Sequence, residues 1–303
     1  MDVTEGRPPA RYGSRVSSAP VAGGVRAPEA VVLGIGQDGG RPQIGCRRAC
    51  CADADPVTPA CLALIGSDGR RWLIDATPAI GEQLRLLDDL APRPIDDSAI
   101  DGILLTHGHL GHFTGLAQLG REALAANGIP VWAQPRLRSV LASDAPWSLL
   151  VEHDHVVLRD DPIDLGGGLL VEVLPVPHRD EISETVAFRV EGPTGSVLWL
   201  PDIDSWEAWD RDIVEEVAAV DVAFVDATFF DDGELDRDMS LIPHPRVTDT
   251  VRRFVDRAPE LASRLRLVHL NHTNPVLRPG SPERAFVEAA GVSLARVGER
   301  VTL

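Results

Sequence analysis

The run Leu104-Leu105-Thr106-His107-Gly108-His109-Leu110-Gly111-His112 carries an apolar strand into three histidines at i, i+2 and i+5, and a helical pattern follows. Imidazole is a common nitrogen ligand for zinc and iron, and loops at strand ends can converge such side chains on one ion. Three unrelated surface histidines are the blander reading, but the tight spacing between strand and helix argues against it. Working outward, other strand-like runs end in the same residue types. Asp75 closes Trp72-Leu73-Ile74-Asp75, His178 follows Leu174-Pro175-Val176-Pro177, Asp202 follows Leu198-Trp199-Leu200-Pro201, and His269 ends Leu267-Val268. Each alone reads as a turn or cap residue. Their shared position at strand ends points to one site.

Short β-rich runs recur at Glu29–Gly34, Cys61–Ile65, Arg71–Ile74, Gly102–Leu105, Pro130–Ala133, Leu169–Leu174, Thr185–Val190, Val197–Leu200, Val222–Val225 and Leu265–Leu270. Helical patterns are expected at Ala79–Leu87, His112–Ala126, Ser205–Val220, Arg246–Asp256 and Pro282–Ala290. Strand pairs interrupted by helices, without strict alternation, favour sheets packed together with helices outside over a doubly wound parallel sheet. The fold class expected is α+β. Residues 1–28, rich in Pro, Gly, Ser and Arg, read as a flexible arm, and 29–303 as one domain.

With 303 residues, 44% of them hydrophobic, the chain is long enough for a full core and unlike a disordered or collagenous chain. No apolar run approaches the roughly 20 residues of a membrane helix. The arginines near the N-terminus lack the apolar segment of a secretory signal, so a cytoplasmic protein without membrane attachment is expected. A formal net charge of −17 repels phosphate backbones, which argues against nucleic acid as a partner. All four cysteines, Cys46, Cys50, Cys51 and Cys61, fall in one short stretch. A disulfide framework would spread further, so clustering favours metal binding or reactivity.

In motif order the chain resembles the metallo-β-lactamase superfamily: a strand-end Asp, then H-x-H-x-D-H, then His, Asp and His. Asp75, then His107, His109 and His112, then His178, Asp202 and His269 supply that order over about residues 30 to 275. More narrowly, it is similar to the pyrroloquinoline quinone biosynthesis protein B family. The matching segments are Gln37-Asp38-Gly39-Gly40, Thr114-Gly115-Leu116, Pro177-His178-Arg179-Asp180, Pro201-Asp202-Ile203-Asp204, Met239–Pro245 and Asn274-Pro275. The resemblance implies a four-layer αββα sandwich with metal along one edge of two sheets. It assigns His107, His109 and His178 to a first metal, makes Asp202 the bridge, and gives His112 and His269 to a second metal. One departure stands out: Gly111 replaces the motif aspartate, which in hydrolases of the superfamily ligates the second metal.

The leading expectation is a metal-dependent hydrolase acting on a small molecule or modified peptide (an ester, lactone, amide or small phosphodiester) through a metal-bound water. His244, in the Ile242-Pro243-His244-Pro245 turn, is the candidate proton donor to the leaving group, since related phosphodiesterases carry a catalytic His in the corresponding stretch; Asp202 is the other residue expected to act in catalysis. The first rival is an iron-dependent oxygenase, because two histidines and one carboxylate with open positions suit iron(II). The second is a non-catalytic carrier of a pathway intermediate. Retention of more metal-binding histidines than is usual in the biosynthesis family places hydrolysis first. Zn2+ is the expected ion, with one or two in the active site, and Fe2+ or Mn2+ are the alternatives there.

The resemblance bears on the cysteines too. Related proteins carry C-x-C-x-x-C and a structural zinc where this chain has Gly45-Cys46-Arg47-Arg48-Ala49-Cys50-Cys51. Cys46 and Cys51 match, Arg48 replaces the middle Cys, and Cys50 is expected to substitute for it. His272 or Cys61 would complete a tetrahedral zinc site. His153 and His155 read as exposed loop residues. The loops 145–155 and 226–244 are expected to line the substrate pocket.

Overall fold

The computed structural model describes residues 26–52 and 54–303. Its strands are β1 (Glu29–Gly34), β2 (Cys61–Ile65), β3 (Arg71–Ile74), β4 (Gly102–Leu104), β5 (Ile129–Trp132), β6 (Val156–Arg159), β7 (Leu170–Val176), β8 (Thr185–Glu191), β9 (Ser196–Leu200), β10 (Val222–Asp226), β11 (Leu265–Val268), β12 (Ser293–Leu294) and β13 (Arg300–Thr302). They form a seven-stranded sheet in the order β13-β1-β2-β3-β4-β5-β6 and a six-stranded sheet in the order β12-β11-β10-β9-β8-β7. In the first sheet β3, β4, β5 and β6 run parallel, and in the second β9, β10, β11 and β12 do.

Side-chain alternation along the strands builds the layers. Ala30, Val32, Leu62, Leu64, Trp72 and Ile74 share one core with Phe188, Trp199 and Phe224 of the other sheet. Their neighbours Val31, Leu33, Ala63 and Leu73 pack instead with Ile80, Leu87, Leu137 and Leu141, which lie on helices. The far face of the second sheet is covered by Val217, Val247, Val251 and Phe254. The result is a helix–sheet–sheet–helix stack. Each fully buried Leu, Val or Phe contributes about 1.5–3 kcal/mol relative to exposure.

The apolar strands serve the site by ending together. Asp75 follows β3, the histidine run follows β4, His178 follows β7, Asp202 follows β9, Asp226 ends β10, and His269 follows β11. Two of these turns use left-handed backbone at a non-glycine residue, with φ of 70° at Asp75 and 61° at His269. Such conformations are uncommon and persist where surrounding structure holds them.

Several expected elements differ. The helix expected over 112–126 is instead a short turn of helix at Leu110–Phe113 and a 3-10 segment at Thr114–Leu119. Gly115 explains the interruption, because its N–H donates to the Ala76 carbonyl at 2.8 Å and a Cβ there would lie 2.1 Å from the Thr77 carbonyl oxygen. The helix expected over 205–220 shrinks to Ile213–Ala218, capped by Asp212, whose side chain accepts from Val214 N. Helices Pro135–Ser143 and Trp147–Glu152 and strands β12 and β13 were not expected from the sequence pattern. The proposed arm over 1–28 lies outside the described residues except for its end, where the Pro28 carbonyl accepts from Leu303 N at 2.8 Å. Among the described residues no helix is long and apolar enough to cross a membrane.

Candidate metal centre

The strand-end side chains meet at the sheet edge. His107 Nε2 lies 3.0 Å from His109 Nδ1, and His109 Nδ1 lies 3.2 Å from His178 Nε2. Asp202 joins them, with Oδ2 3.3 Å from His107 Nε2 and Oδ1 3.3 Å from His178 Nε2. On the other side of Asp202, His112 Nε2 stands 3.3 Å from His269 Nε2, and Asp202 Oδ2 is 3.7 Å from the first and 3.5 Å from the second. Donor atoms on a tetrahedral zinc with bonds of about 2.0–2.1 Å are separated by about 3.3–3.4 Å. The spacing fits two such polyhedra sharing Asp202. All six residues expected as active-site ligands are therefore together.

Their outer nitrogens are held by partners. His112 Nδ1 donates to Asp75 Oδ2 at 2.7 Å, His178 Nδ1 to Asp204 Oδ1 at 2.9 Å, and His269 Nδ1 to Thr228 Oγ1 at 2.9 Å. His107 Nδ1 donates to Thr106 Oγ1 at 3.0 Å, and that hydroxyl donates in turn to Asp75 at 2.9 Å. Each bond orients its ring so that Nε2 faces the site. Asp75, fully buried, also accepts from Thr106 N at 2.8 Å and so ties β3 to the histidine run.

Burial drives His107, His109 and His178 below the ordinary imidazole range, which keeps them in the neutral ligating form. Burial opposes charge on His112 as well, but the Asp75 and Asp38 carboxylates hold it well above the ordinary value. Asp202 is held well below the carboxylate range by the surrounding imidazoles, against the desolvation that burial imposes.

His244 is buried beside this centre, 3.2 Å from Asp202 Oδ1 through Nδ1 and 2.8 Å from Asp226 Oδ2. Sequence patterns did not single out Asp38, Asp204, Asp226, Thr106 or Thr228. Asp204 and Asp226 are carboxylates at strand ends, the signal that found Asp75 and Asp202. Asp38, in the turn after β1, carries no comparable spacing, yet its Oδ1 lies 3.2 Å from His112 Nε2 and 3.4 Å from His269 Nε2.

The cysteine cluster forms a separate set. Cys46 Sγ is 3.8 Å from Cys50 Sγ, and His272 Nδ1 is 3.6 Å from Cys50 Sγ and 3.3 Å from Cys51 Sγ. Zinc–sulfur bonds of about 2.3 Å give roughly 3.8 Å between thiolates and roughly 3.6 Å between thiolate and imidazole, so the four residues fit a closed zinc site. Cys61 is not beside them. It is wholly buried on β2, with its thiol 3.5 Å from the Asp75 carbonyl, and serves as a small apolar core residue.

A cavity of about 870 Å³ is lined by Cys46 and His272 of the cysteine set and by Phe229 and His244, and it meets the histidine centre through His244, which lies beside Asp202. Arg47, Arg48, Arg179 and Arg237 line it against a single carboxylate, Asp236. In a chain of net charge −17 this is a local reversal of sign. Of the two loops expected to line a substrate pocket, 226–244 contributes to this cavity and 145–155 does not: Pro146, Trp147 and His155 line a different pocket with Ala117 and Gly120.

The β-lactamase superfamily domain matches residues 70–270. Coenzyme PQQ synthesis protein B of Methylorubrum populi is 28% identical over 298 residues, covering 88% of this chain and 97% of that protein. The fold is that of Zn(2+)-bound PqqB from Methylobacterium extorquens, with a TM-score of 0.73 at 23% identity over 91% of this chain and 100% of that one. A diphosphatase of the PhnP family shares it with a TM-score of 0.62 at 23% identity, over 91% of this chain and 97% of that one. The strand-end histidines, the two-sheet stack and these likenesses converge: the chain belongs to the β-lactamase superfamily, has the metallo-β-lactamase fold and resembles coenzyme PQQ synthesis protein B.

Proposed function

We propose that the protein is a metal-dependent hydrolase whose substrate is a small molecule or modified peptide bearing an anionic group. The observation that carries this reading is an arginine-lined cavity whose wall includes His244, the residue that stands against Asp202 of the buried His/Asp donor set. Divalent ions held by His107, His109, His178, Asp202, His112 and His269 would supply a water acidified toward neutrality and a Lewis acid for the substrate oxygen. The protein residues do the remaining work. Arg179, next to the ligand His178, and Arg47 and Arg48 across the cavity attract and orient a carboxylate or phosphate. Phe229 and Leu241 offer apolar wall, so substrate is held by both charge and contact.

His244 is placed to give a proton to the leaving group. Burial alone would lower its pKa, but the carboxylates of Asp226 and Asp202 raise it above the ordinary imidazole value. With Nδ1 engaged by Asp226, Nε2 is the atom left to donate. The acidic surface makes a nucleic-acid substrate a poor match, and a small phosphodiester or acidic ester a better one.

The test is turnover of ester, lactone and phosphodiester panels by the Zn2+- or Mn2+-loaded protein, with and without oxygen. Oxygen-independent hydrolysis that disappears in His109→Ala and shows a raised KM of about tenfold in Arg179→Ala supports the reading. Oxygen uptake with Fe2+ and no hydrolysis overturns it in favour of an oxygenase. Tight binding of an anionic ligand with no turnover overturns it in favour of a carrier.

A further inference from the structure

Gly111 occupies the position at which the superfamily motif carries its aspartate, inside the short helix Leu110–Phe113. Its backbone is not left-handed, so conformation does not demand glycine. Inside a helix glycine is less favourable than alanine by about 1 kcal/mol. Space explains it instead. A Cβ on Gly111 would stand 2.3 Å from Asp38 Oδ1 and 2.5 Å from both Cγ and Cα of Asp38. One of those atoms is backbone, which a rotamer change does not move. Asp38 fills the space that any side chain at 111 would need.

Asp38 is held there by the turn after β1. Gln37 N donates to the Leu270 carbonyl at 2.9 Å, and Leu270 N donates back to the Ile35 carbonyl at 2.9 Å, so this turn is tied to the loop that carries His269. Gly40 closes it, with φ of 59° and its N–H donating to the Gln37 carbonyl at 2.7 Å. Asp38 Oδ1 is buried and has no hydrogen-bond partner among the described residues. A buried carboxylate oxygen left that way is costly unless a cation answers it. Its distances to the two imidazole nitrogens, 3.2 Å and 3.4 Å, match the 3.3 Å between those nitrogens.

We infer that Asp38 is a ligand of the metal position formed by His112 and His269, delivering through space, from the turn after β1, the carboxylate that the chain lacks at Gly111. With Asp202 the position then has two imidazoles and two carboxylates, a tetrahedral edge length on every measured side but the two slightly longer ones to Asp202. The open two-histidine, one-carboxylate set expected from sequence is thereby closed on one further side. Residues 38 and 111 act as a pair: a carboxylate at the first requires the absence of a side chain at the second.

The inference rests on the metallo-hydrolase reading only in that ions occupy the centre, and its test reads metal rather than turnover. The full-length protein is saturated with zinc, freed of loose metal by gel filtration and assayed for bound zinc; a parallel sample is titrated with Co2+ and followed by visible absorption. The wild type is expected to hold about three equivalents, one at the cysteines and two at the histidine centre. Asp38→Asn, which keeps the shape, and Asp38→Ala are expected to lose one equivalent or to bind it at least tenfold more weakly, with a changed cobalt spectrum for that ion alone. Gly111→Ala is expected to weaken the same ion by pushing Asp38 aside. Wild-type stoichiometry, affinity and cobalt spectrum in Asp38→Asn overturn the assignment. So does a wild type that fills the cysteine set and the His107/His109/His178 position but never the third, while the hydrolase reading survives. A wild type with zinc only at the cysteines overturns both. Retention of the cysteine-bound zinc in each variant shows that it has folded.

Discussion

His244 Nδ1 donates to Asp226 Oδ2 at 2.8 Å, and the receiving carboxylate is wholly enclosed. Asp226 also accepts from Thr228 N at 2.9 Å, Thr228 Oγ1 at 2.7 Å and Ile203 N at 3.1 Å, so its orientation is fixed by two loops at once. The pair sets both the direction of the His244 ring and its affinity for a proton. Asp226→Asn is expected to lower turnover about 10- to 100-fold with metal content unchanged. A proton donor must be protonated, and loss of the Asp226 charge lowers the His244 pKa. The alkaline limb of the kcat profile should therefore move to lower pH. A uniform drop with no movement of that limb would show that Asp226 acts elsewhere.

Asp75 connects the fold to the site. It accepts from Thr106 N and Oγ1 and from His112 Nδ1, all within the buried interior. Asp75→Ala leaves those donors without an acceptor, at a cost of about 1–3 kcal/mol for each group left unsatisfied. We expect a lower unfolding midpoint for the metal-free protein. For the gentler Asp75→Asn, affinity for the ion at His112 should weaken about 10- to 100-fold. Chemical denaturation and metal competition measure the two effects separately.

The cysteine set joins segments distant in sequence, since Cys46, Cys50 and Cys51 meet His272. Metal there links the turn after β1 to the loop after β11. Removal of Cys51 is expected to release one zinc and to lower the thermal midpoint by on the order of 10 °C. The histidine centre should keep its ions. Calorimetry with elemental analysis before and after a chelator checks this, and a wild-type midpoint with one zinc missing would refute a structural role.

Glu234 gives a pH signature independent of the ligands. Burial pushes its carboxyl up from 4.5 to about 7, although it accepts from Phe230 N at 2.6 Å and from the Thr273 hydroxyl. A raised carboxyl pKa means that the folded state binds the proton more tightly than the unfolded chain. Stability from this group is present below the unfolded value and is lost as pH rises through about 7. Glu234→Gln should flatten the decline in thermal midpoint between about pH 5 and 8. Parallel slopes in the two proteins would count against it.

Much of the centre is legible along the chain because its signals are local. His107, His109 and His112 follow one strand at tight spacing, and Asp75, His178, Asp202 and His269 each stand at the end of an apolar run. Such runs bury themselves in a sheet, and the polar residue that terminates each is carried to the same edge. The cysteine set is half local: three members lie close in sequence, whereas the choice of His272 over Cys61 depends on which loop comes back to meet them.

Other features have no local signal. The 3-10 segment that replaces the expected helix arises because Gly115 packs against the backbone of Ala76 and Thr77, a contact between two loops. The edge strands β12 and β13 are two and three residues long, too short for periodicity to show, and they form because partners are present. Asp38 is the sharpest case. In the sequence it is one acidic residue in a glycine-rich turn, and Gly111 is a motif residue lost. The glycine's missing side chain and the aspartate's unpaired oxygen become one fact only when β1 and β4 are set in the same sheet, with two strands between them, and the loops that follow them compete for a single volume. Local sequence determined which strands end in metal-binding side chains, because burial and alternation act over a few residues. Tertiary structure decided which carboxylate completes the set, because close packing allows only one side chain in that space.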